Sequence, residues 1–267
     1  YQIMNNRELI LKSVNRNEDK LFVAKMLDKA YKAEKTGSIT YSDFIDPYQK
    51  MLVNKVLLNN INTKHLLYGG YDGAERVIVI FCPDFIECND FSNFNKLFKL
   101  IEATANGGNL PTHRDYLGAL TGLGIKREKI GDILVDGNKS NIIVLRDIAD
   151  FIELNLTKVG NTSVNVEVKD VDELETSEPK TKEIKATVAS LRVDCIVSAG
   201  FGMSRAKIIE YIKAERLNLN WEQVSSPSKQ IKEGDVISVR GRGRIIVESI
   251  TGLTKKGRIG VLIKRLI

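Results

Sequence analysis

Positive charge is concentrated at the C-terminal end of this 267-residue chain. From Ile184 to the end there are 16 Lys and Arg residues against 7 Asp and Glu, a net charge of +9. The preceding residues carry 24 basic and 27 acidic side chains, so their net charge is −3. This charge boundary indicates at least two domains, and a concentrated positive field attracts a phosphate backbone. The alternative is a basic domain that is merely soluble, or that meets an acidic protein or membrane surface.

The composition favours a folded protein of the cytoplasm that needs no cofactor. The hydrophobic fraction of 43% is sufficient for real cores, and no run approaches the ~20 apolar residues of a membrane helix. No export signal opens the chain, which begins at Tyr1, with Met4 as a candidate true start. Cys82, Cys88 and Cys195 have the spacing of neither a disulfide framework nor a zinc knuckle. We therefore expect reduced thiols and no metal.

Apolar periodicity and turn residues divide the chain into four segments. Residues 1–70 predict a small helical unit, in which Asp46-Pro47 supplies an N-cap followed by a proline at the first helical position. Residues 71–169 predict an α/β domain. Residues 170–183 are acidic and polar without apolar periodicity, which is typical of a linker. Residues 184–267 form the basic module, with two short helices followed by several strands.

The middle segment predicts an α/β sandwich of the ferredoxin-like kind. Arg76 to Phe81 is short and β-branched, as in a buried strand, whereas Phe91 to Ala105 predicts a helix. The elements then continue to Val168 in the rough order β-α-α-β-β-α-β. This pattern does not decide the order of the strands in the sheet.

Two helix starts in the basic module place positive side chains beside exposed amides. Leu191-Arg192-Val193-Asp194 opens the first helix, and Ser204-Arg205-Ala206-Lys207 opens the second. Ser204 is a good N-cap, and a helix start of this kind favours anions. Because the apolar stripe of the second helix faces inward, Arg192, Arg205 and Lys207 are left for phosphate oxygens.

Basic turns follow these helices. Asn220 ends a short strand, Gly234-Asp235 makes a turn, and the next strand runs into Arg240-Gly241-Arg242-Gly243-Arg244. Glycines between arginines let the backbone approach a ligand closely, which suits recognition of a folded RNA by shape and phosphate position. The candidate RNA-binding residues are Arg192, Ser204, Arg205, Lys207, Asn220, Arg240, Arg242, Arg244, Lys255 and Lys256.

These motifs resemble, in order, the small RNA-binding fold named for the fourth small-subunit ribosomal protein, called here the S-four domain. Its hallmarks are L-R-x-D, then S-R, then an alternating strand that is Leu217–Asn220 here, then G-D. Two positions depart from the pattern. Glu215-Arg216 stands where such domains usually have a glycine after the second helix, and Asn218 stands where a lysine is common.

Motifs along nearly the whole chain resemble YlmH-family proteins. They are Phe44–Pro47, Tyr68–Tyr71, Glu75-Arg76, Thr112–Gly118, Leu123–Ile133, Ser238–Arg244 and Thr254–Arg258. The resemblance implies an α+β fold with an N-terminal helical unit, an RNA-recognition-motif-like middle domain and a C-terminal S-four domain. It also implies association with large ribosomal subunits that still hold peptidyl-tRNA, in bacterial rescue of stalled translation.

A second RNA-facing surface is one of two interpretations of the basic residues in the middle domain. The other is a capped helix start and a solvated charged turn, which the sequence alone favours. His113 beside Asp115 is no catalytic triad, because no motif places a serine or cysteine nucleophile with them. The residues in question are Arg114, Lys126, Arg127 and Lys129.

We therefore expect a monomeric, non-enzymatic factor that binds rRNA and tRNA on the large ribosomal subunit and does not contact membranes. One alternative is an RNA-modifying enzyme whose active site lies in the middle domain around His113 and Asp115. Another is a cell-division adaptor that uses RNA binding as an accessory.

Overall fold

A computed structural model gives the fold of this α+β protein. The chain divides into two compact units, Tyr1–Glu175 and Thr176–Ile267, each with its own hydrophobic core. None of the described helices combines the length and apolar character needed to cross a membrane. The structure describes residues 2–57, 60–88, 91–107, 110–175, 181–254 and 257–266.

The N-terminal part of the first unit combines helices with a small antiparallel sheet, in the strand order β1-β3-β2. Its elements are α1 (Gln2–Lys12), α2 (Asn17–Thr36), β1 (Thr40–Tyr41), α3 (Pro47–Leu52), a π-helix (Val53–Leu57), β2 (Lys64–Tyr68) and β3 (Ile78–Cys82). The predicted start of α3 is confirmed, since the Asp46 carboxylate accepts the Gln49 N–H at 2.8 Å and Pro47 follows the cap.

Strand β3 is buried on both faces, and this explains its unbroken run of apolar residues. Val79 and Phe81 pack in a core with α2, whereas Ile78 and Ile80 pack against Phe98 and its neighbours in the middle domain. The assignment of this strand to the middle-domain sheet was wrong. Apolar periodicity identifies a buried strand, but it carries no information on the partners of that strand.

The middle domain is a five-stranded antiparallel sheet in the order β5-β6-β4-β8-β7. Helices α4 and α5 cover one face, and the β1-β3-β2 sheet covers part of the other. The elements β4, α4, β5, β6, α5 and β8 follow the β-α-β-β-α-β order of the predicted ferredoxin-like arrangement, and the short strand β7 is added beside β8 at the edge of the sheet. The elements are β4 (Phe98–Asn106), α4 (His113–Gly122), β5 (Ile130–Asp136), β6 (Lys139–Leu145), α5 (Ala149–Asn155), β7 (Lys158–Val159) and β8 (Thr162–Lys169).

The helix predicted from Phe91 to Ala105 was wrong. Phe91–Leu97 is a 3-10 helix, and the residues after it form β4 at the centre of the sheet. Phe98 packs towards the N-terminal sheet and Ile101 towards the two helices, so both faces of the strand are apolar. A strand buried on both faces loses the period of two that distinguishes it from a buried helix.

Asp132 on β5 connects the middle domain to the turn that precedes β3. Its carboxylate accepts the Tyr71 hydroxyl at 2.7 Å and the backbone N–H groups of Glu75 and Arg76 at 2.7 and 3.0 Å. Burial, and then the neighbouring Asp132 charge, raise the pKa of Tyr71, so its hydroxyl remains a donor at neutral pH. The carboxylate therefore fixes this turn against the sheet.

Two arginines complete this junction by donating to main-chain carbonyls. Arg76 donates from Nε to the Ile130 carbonyl at 2.9 Å and from Nη2 to the Phe44 carbonyl at 3.3 Å. Arg127 donates from Nη1 to the same Ile130 carbonyl at 2.6 Å. Burial, with the nearby Arg76 charge, lowers the pKa of Arg127 to about 10, which leaves it protonated at neutral pH.

The second unit is a six-stranded antiparallel sheet in the order β11-β10-β12-β13-β14-β9, with two helices against it. Ile196 of the first helix and Ile208 of the second pack with Ile245 and Ile263 of the sheet. The elements are β9 (Thr181–Val188), α6 (Val193–Phe201), α7 (Arg205–Lys213), β10 (Leu217–Leu219), β11 (Glu222–Gln223), β12 (Val236–Val239), β13 (Gly243–Leu253) and β14 (Ile259–Leu266).

Glu215 makes the turn after α7 that glycine makes in the S-four pattern. Its φ of 57° is left-handed, and the Arg216 N–H reaches the Tyr211 carbonyl at 2.8 Å, which closes the turn. An L-residue in this region costs roughly 1 kcal/mol relative to glycine. The turn is therefore kept at a conformational cost.

The segment predicted as a linker contains ordered structure at both of its ends. Val171 begins a 3-10 helix and is buried against the sheets of the first unit. Thr181 begins β9, the edge strand of the second unit. Residues 176–180 between them lie outside the described part of the chain.

Cys82 and Cys88 are joined by a disulfide, which corrects the expectation of three reduced thiols. The chain turns back after β3 and brings the two Cα atoms to 6.2 Å, a separation that a disulfide spans. Sequence spacing alone did not show this return of the chain. Cys195 is free and buried, as expected.

We expect Asp132→Ala to lower the free energy of unfolding by about 3 kcal/mol, because three donors lose their acceptor at a half-buried position. Chemical denaturation measures this change. Asp84→Ala, at an exposed carboxylate, is the control and should change stability by less than ~0.5 kcal/mol. Equal stability of the two variants would contradict the role given to Asp132.

Candidate nucleic-acid interface

Both helix starts predicted in the basic module are present. Arg192 occupies the N-cap position of α6, and Ser204 caps α7 by accepting the Lys207 N–H at 3.3 Å. Ser204, Arg205 and Lys207 are all exposed. An exposed, capped helix start with two flanking cations is suited to bind a phosphate oxygen.

Arg192 and Arg205 differ in how much of their charge is available. Arg192 forms a two-pronged ion pair with Asp194, with Nε and Nη2 at 3.1 and 3.0 Å from the carboxylate oxygens, and Asp194 is only 4% exposed. Arg205 instead places Nη2 at 3.0 Å from the Cys195 sulfur, and no described carboxylate forms an ion pair with it. The charge of Arg192 is therefore balanced within the fold, whereas that of Arg205 is not.

A second group of positive side chains surrounds Tyr211 at the other end of α7. The Arg216 guanidinium lies 5.0 Å from the centre of the Tyr211 ring. A hydrogen bond from Arg242 lowers the pKa of the Tyr211 hydroxyl, and the charges of Arg242, Arg216 and Lys207 lower it further. Tyr211 therefore lies among positive side chains.

Arg265 extends the group towards the end of α6. Its guanidinium lies 5.1 Å from the centre of the Phe201 ring and donates to the Arg242 carbonyl at 3.4 Å. We call Tyr211, Arg216, Arg242 and Arg265 the arginine cluster. Of these four residues, only Arg242 was predicted from the sequence as an RNA contact. The spacing of four between Lys207 and Tyr211 on α7 was the available signal for the tyrosine.

Glycines give the arginine-rich turn its shape. Gly241 and Gly243 have φ values of 81° and 102°, which side chains rarely adopt, so the β12–β13 turn depends on them. Arg240 and Arg242 in this turn are exposed. Arg244 is half-buried on β13, paired with Ser238 of β12.

Three further residues of the second unit were predicted to contact RNA, namely Asn220, Lys255 and Lys256. The Asn220 amide donates to Asp235 at 2.8 Å and accepts the Val236 N–H at 2.9 Å, so both of its ends support the turn before β12. Its neighbour Trp221 also has a left-handed φ, of 64°. Lys255 and Lys256 lie outside the described residues.

The four basic residues predicted for the middle domain divide into two pairs. Arg127 donates to main-chain carbonyls, and Lys129 lies 3.0 Å from both Asp43 and Asp147. Arg114, on the first turn of α4, and Lys126, before β5, are exposed. Only the second pair is placed to contact a ligand.

The sheet of the middle domain does not offer RNA the stacking face of an RNA-recognition motif. The aromatic residue in its strands is Phe98, which is 1% exposed and packs against Phe44 and Tyr68. Elsewhere on this face Glu102 forms ion pairs with Lys169 and Lys139 at 3.0 and 3.6 Å. Stacking of bases on aromatic side chains requires exposed rings, and here that face is covered or charged.

His113 and Asp115, the residues of the alternative active site, lie at the capped start of α4. The Asp115 carboxylate accepts the Thr112 N–H and hydroxyl at 2.8 and 2.7 Å, which caps α4. Burial, and then the Arg127 charge, lower the pKa of His113. Among the described residues there is no group of three or more His, Cys, Asp or Glu side chains that could hold a metal ion.

Comparison with known proteins identifies the family. Ribosome-associated protein quality control protein P2 of Bacillus subtilis is 31% identical over 256 residues, which cover 94% of this chain and 96% of that protein. The chain belongs to the YlmH family. Two family models agree: the YlmH N-terminal domain matches residues 18–85, and the putative RNA-binding domain in YlmH matches residues 108–173. The resemblance inferred from the motifs is thus confirmed.

Further comparisons match parts of the chain. The model of the C-terminal domain of mitochondrial transcription rescue factor 1 matches residues 180–240. Small ribosomal subunit protein uS4 of Desulfotalea psychrophila is 30% identical over 67 residues, 24% of this chain and 32% of that protein. Among solved structures, the cell division protein ylmH from Streptococcus pneumoniae matches with a TM-score of 0.51 at 24% identity, over 61% of this chain and 98% of that one, which supports the fold.

We expect the Tyr211 hydroxyl to titrate below the ordinary tyrosine pKa of 10.0 and Arg242→Ala to raise its midpoint, because the main stabiliser of the phenolate is then lost. NMR titration of ¹³C-labelled tyrosine measures both values. Lys213→Ala, at an exposed lysine of the same helix, is the control. If the Arg242→Ala midpoint coincided with that of the wild type, the arrangement around Tyr211 would be wrong.

Proposed function

We propose that this YlmH-family chain is a non-enzymatic bacterial factor of the cytoplasm that acts as a monomer in the rescue of stalled translation. It binds rRNA and tRNA on large ribosomal subunits that hold peptidyl-tRNA, through an S-four domain formed by the second unit. The Bacillus subtilis relative, which shares nearly the full length, is named for ribosome-associated quality control.

The arginine cluster is the observation that carries this proposal. Arg216 and Arg265 rest on aromatic rings, which support a guanidinium without neutralising it. Their N–H groups remain able to donate to phosphate oxygens, which arginine binds in a two-pronged geometry. Together with Arg205 and Lys207 at the start of α7, the cluster matches a folded RNA backbone, which is recognised by phosphate position and shape.

Two features support a role without catalysis. The Asp115 carboxylate caps α4, and Arg127 is committed to main-chain carbonyls, so the polar residues around His113 maintain the fold. The family model that matches residues 108–173, which include His113, is described as a putative RNA-binding domain. Mass spectrometry of rRNA from cells with and without the gene tests this part, and a modification that disappears with the gene would establish an enzyme instead.

The solved Streptococcus pneumoniae relative is named as a cell division protein, and this name favours a second candidate function, an adaptor in cell division. In that case the basic unit is an accessory to a protein complex. Purification from cells with and without RNase separates the two functions, because ribosomal components are lost after RNase treatment only if RNA holds them.

We expect Arg205→Ala with Arg242→Ala to weaken binding to large ribosomal subunits by roughly 30- to 100-fold, because two charge-assisted hydrogen bonds are lost. Co-sedimentation of the full chain measures this. Arg192 is unsuitable for the test, since its removal leaves the buried Asp194 carboxylate unpaired and destabilises the unit.

The matched control for this pair is Lys25→Ala with Lys55→Ala, which removes two exposed positive charges from the first unit. It should co-sediment like the wild type. If the arginine pair also behaved like the wild type, the arginine cluster would not be the contact surface.

Binding should also depend steeply on salt. Each phosphate contact contributes about 0.7 to 0.9 to the slope of log K against log salt concentration, because counterions are released. We therefore expect the Arg205→Ala, Arg242→Ala variant to show a slope about 1.5 units shallower than the wild type, measured by fluorescence anisotropy with a structured rRNA fragment. Identical slopes would mean that neither arginine neutralises a phosphate.

A further inference from the structure

A cavity of about 600 Å³ opens on the first unit, apart from the arginine cluster. Its walls are the end of β2, the glycine-rich turn before β3, Lys50 of α3 and the ring of Phe91. Its volume lies within the usual range of small-ligand sites. Neither the helix starts nor the arginine-rich turn that carry the proposed function contribute to it.

Two aromatic rings in the cavity wall differ in how firmly they are held and in how much of each is exposed. Tyr68 is fixed: its hydroxyl donates to the Asn95 side chain at 2.7 Å, and its ring meets Phe98 edge-on at 5.5 Å. Phe91 packs on Tyr68 at 4.9 Å but remains 48% exposed. The Phe91 ring therefore contributes an apolar surface to the cavity wall, and it rests on the Tyr68 ring.

A second ring, Tyr71, is held in place by its hydrogen bond to Asp132. Two of the three rings in the wall are therefore fixed before any ligand arrives. A pre-organised stacking platform loses little conformational entropy on binding. Stacking on such a platform suits any planar base, since every base has a π-face.

Close packing at two glycines fixes the turn that contributes to this wall. A Cβ on Gly69 would lie 2.3 Å from the Arg76 carbonyl oxygen, and Gly70 has a φ of 94° with Ile143 and Val171 against it. The fold therefore requires glycine at both positions, and the path of the turn is fixed before any ligand arrives.

Charge at the rim suits a nucleotide. Lys50 lines the cavity, and no described residue forms an ion pair with it, so its ammonium group is available to a phosphate. Asp72, also exposed in the lining, supplies an acceptor for a hydroxyl or amino group. Ile143 and Val171, which pack against the turn, belong to the segment that matches the RNA-binding family model.

We propose that this cavity holds one unpaired nucleobase, stacked on Phe91, with its phosphate at Lys50. The inference rests on the proposed function, because it requires that the chain binds RNA. It adds a second kind of contact, with single-stranded rather than folded segments of RNA. The same chemistry fits a base in an RNA strand and a free mononucleotide.

The test uses the full chain and a short single-stranded RNA that carries 4-thiouridine. We expect irradiation to cross-link the RNA to a peptide containing Phe91 or Tyr68. We also expect Phe91→Ala to weaken the affinity for this RNA about tenfold, the loss that follows removal of one base–aromatic stack. A cross-link confined to the second unit, or an unchanged affinity, would overturn the proposal.

Two further variants separate stacking from structural damage. Phe151→Ala removes a phenylalanine of nearly equal exposure, 46% on α5, and should bind like the wild type. Phe91→Trp keeps a flat ring at the mouth and should retain affinity. If Phe91→Trp bound the RNA as weakly as Phe91→Ala, or if Phe151→Ala lowered the affinity as much as Phe91→Ala, the Phe91 ring would not be the stacking platform.

Repeating the cross-link in the Arg205→Ala, Arg242→Ala background distinguishes the two proposals. A first-unit cross-link that persists there supports the cavity site independently of the arginine cluster. If the arginine pair loses subunit binding while Phe91→Ala binds single-stranded RNA normally, the cavity proposal fails and the proposed function stands. Competition with uridine monophosphate identifies the source: displacement of the RNA indicates a site for free nucleotides, and failure to displace it indicates a site for a base within a strand.

Discussion

Donation of guanidinium N–H groups to main-chain carbonyls fixes the junction between the two sheets of the first unit. Arg76 and Arg127 share the Ile130 carbonyl, and the Asp132 carboxylate holds the turn from which Arg76 projects. This turn forms part of the wall of the cavity lined by Phe91 and Lys50, and it positions Tyr71. Two like charges are tolerated side by side because carbonyl oxygens and a carboxylate surround them.

The second unit uses arginine in the opposite way. Arg216 and Arg265 lie on aromatic rings, which leave the positive charge and the N–H donors of each guanidinium available. Arg192 instead forms an ion pair with the buried Asp194 carboxylate. A count of basic residues cannot separate these cases. The nearest neighbour decides whether an arginine stabilises the fold or serves a ligand. In this unit Arg216 and Arg242 lie beside Tyr211 at the end of α7.

Local signals in the sequence were sufficient wherever an element is specified by its own residues. The Asp46-Pro47 start of α3 and the Ser204 cap of α7 are examples, because capping depends on a few adjacent groups. Strands β3 and β4 were misassigned, because burial on both faces is set by distant packing partners. The candidate RNA-binding residues show the same dependence on distant partners. Arg205 could be predicted from a local motif, whereas Arg265 joins the arginine cluster only because β14 pairs with β13.

The burial of β3 on both faces has a consequence for the modularity of this family. Residues 98–173 have the connectivity of a free-standing domain, yet Phe98, Ile143 and Leu145 are covered by Ile78 and Ile80 of the preceding segment. Excised alone, that domain would present an apolar sheet face to water and would tend to self-associate. The two N-terminal parts thus form a single structural unit, and a cut between them would expose the face that β3 covers.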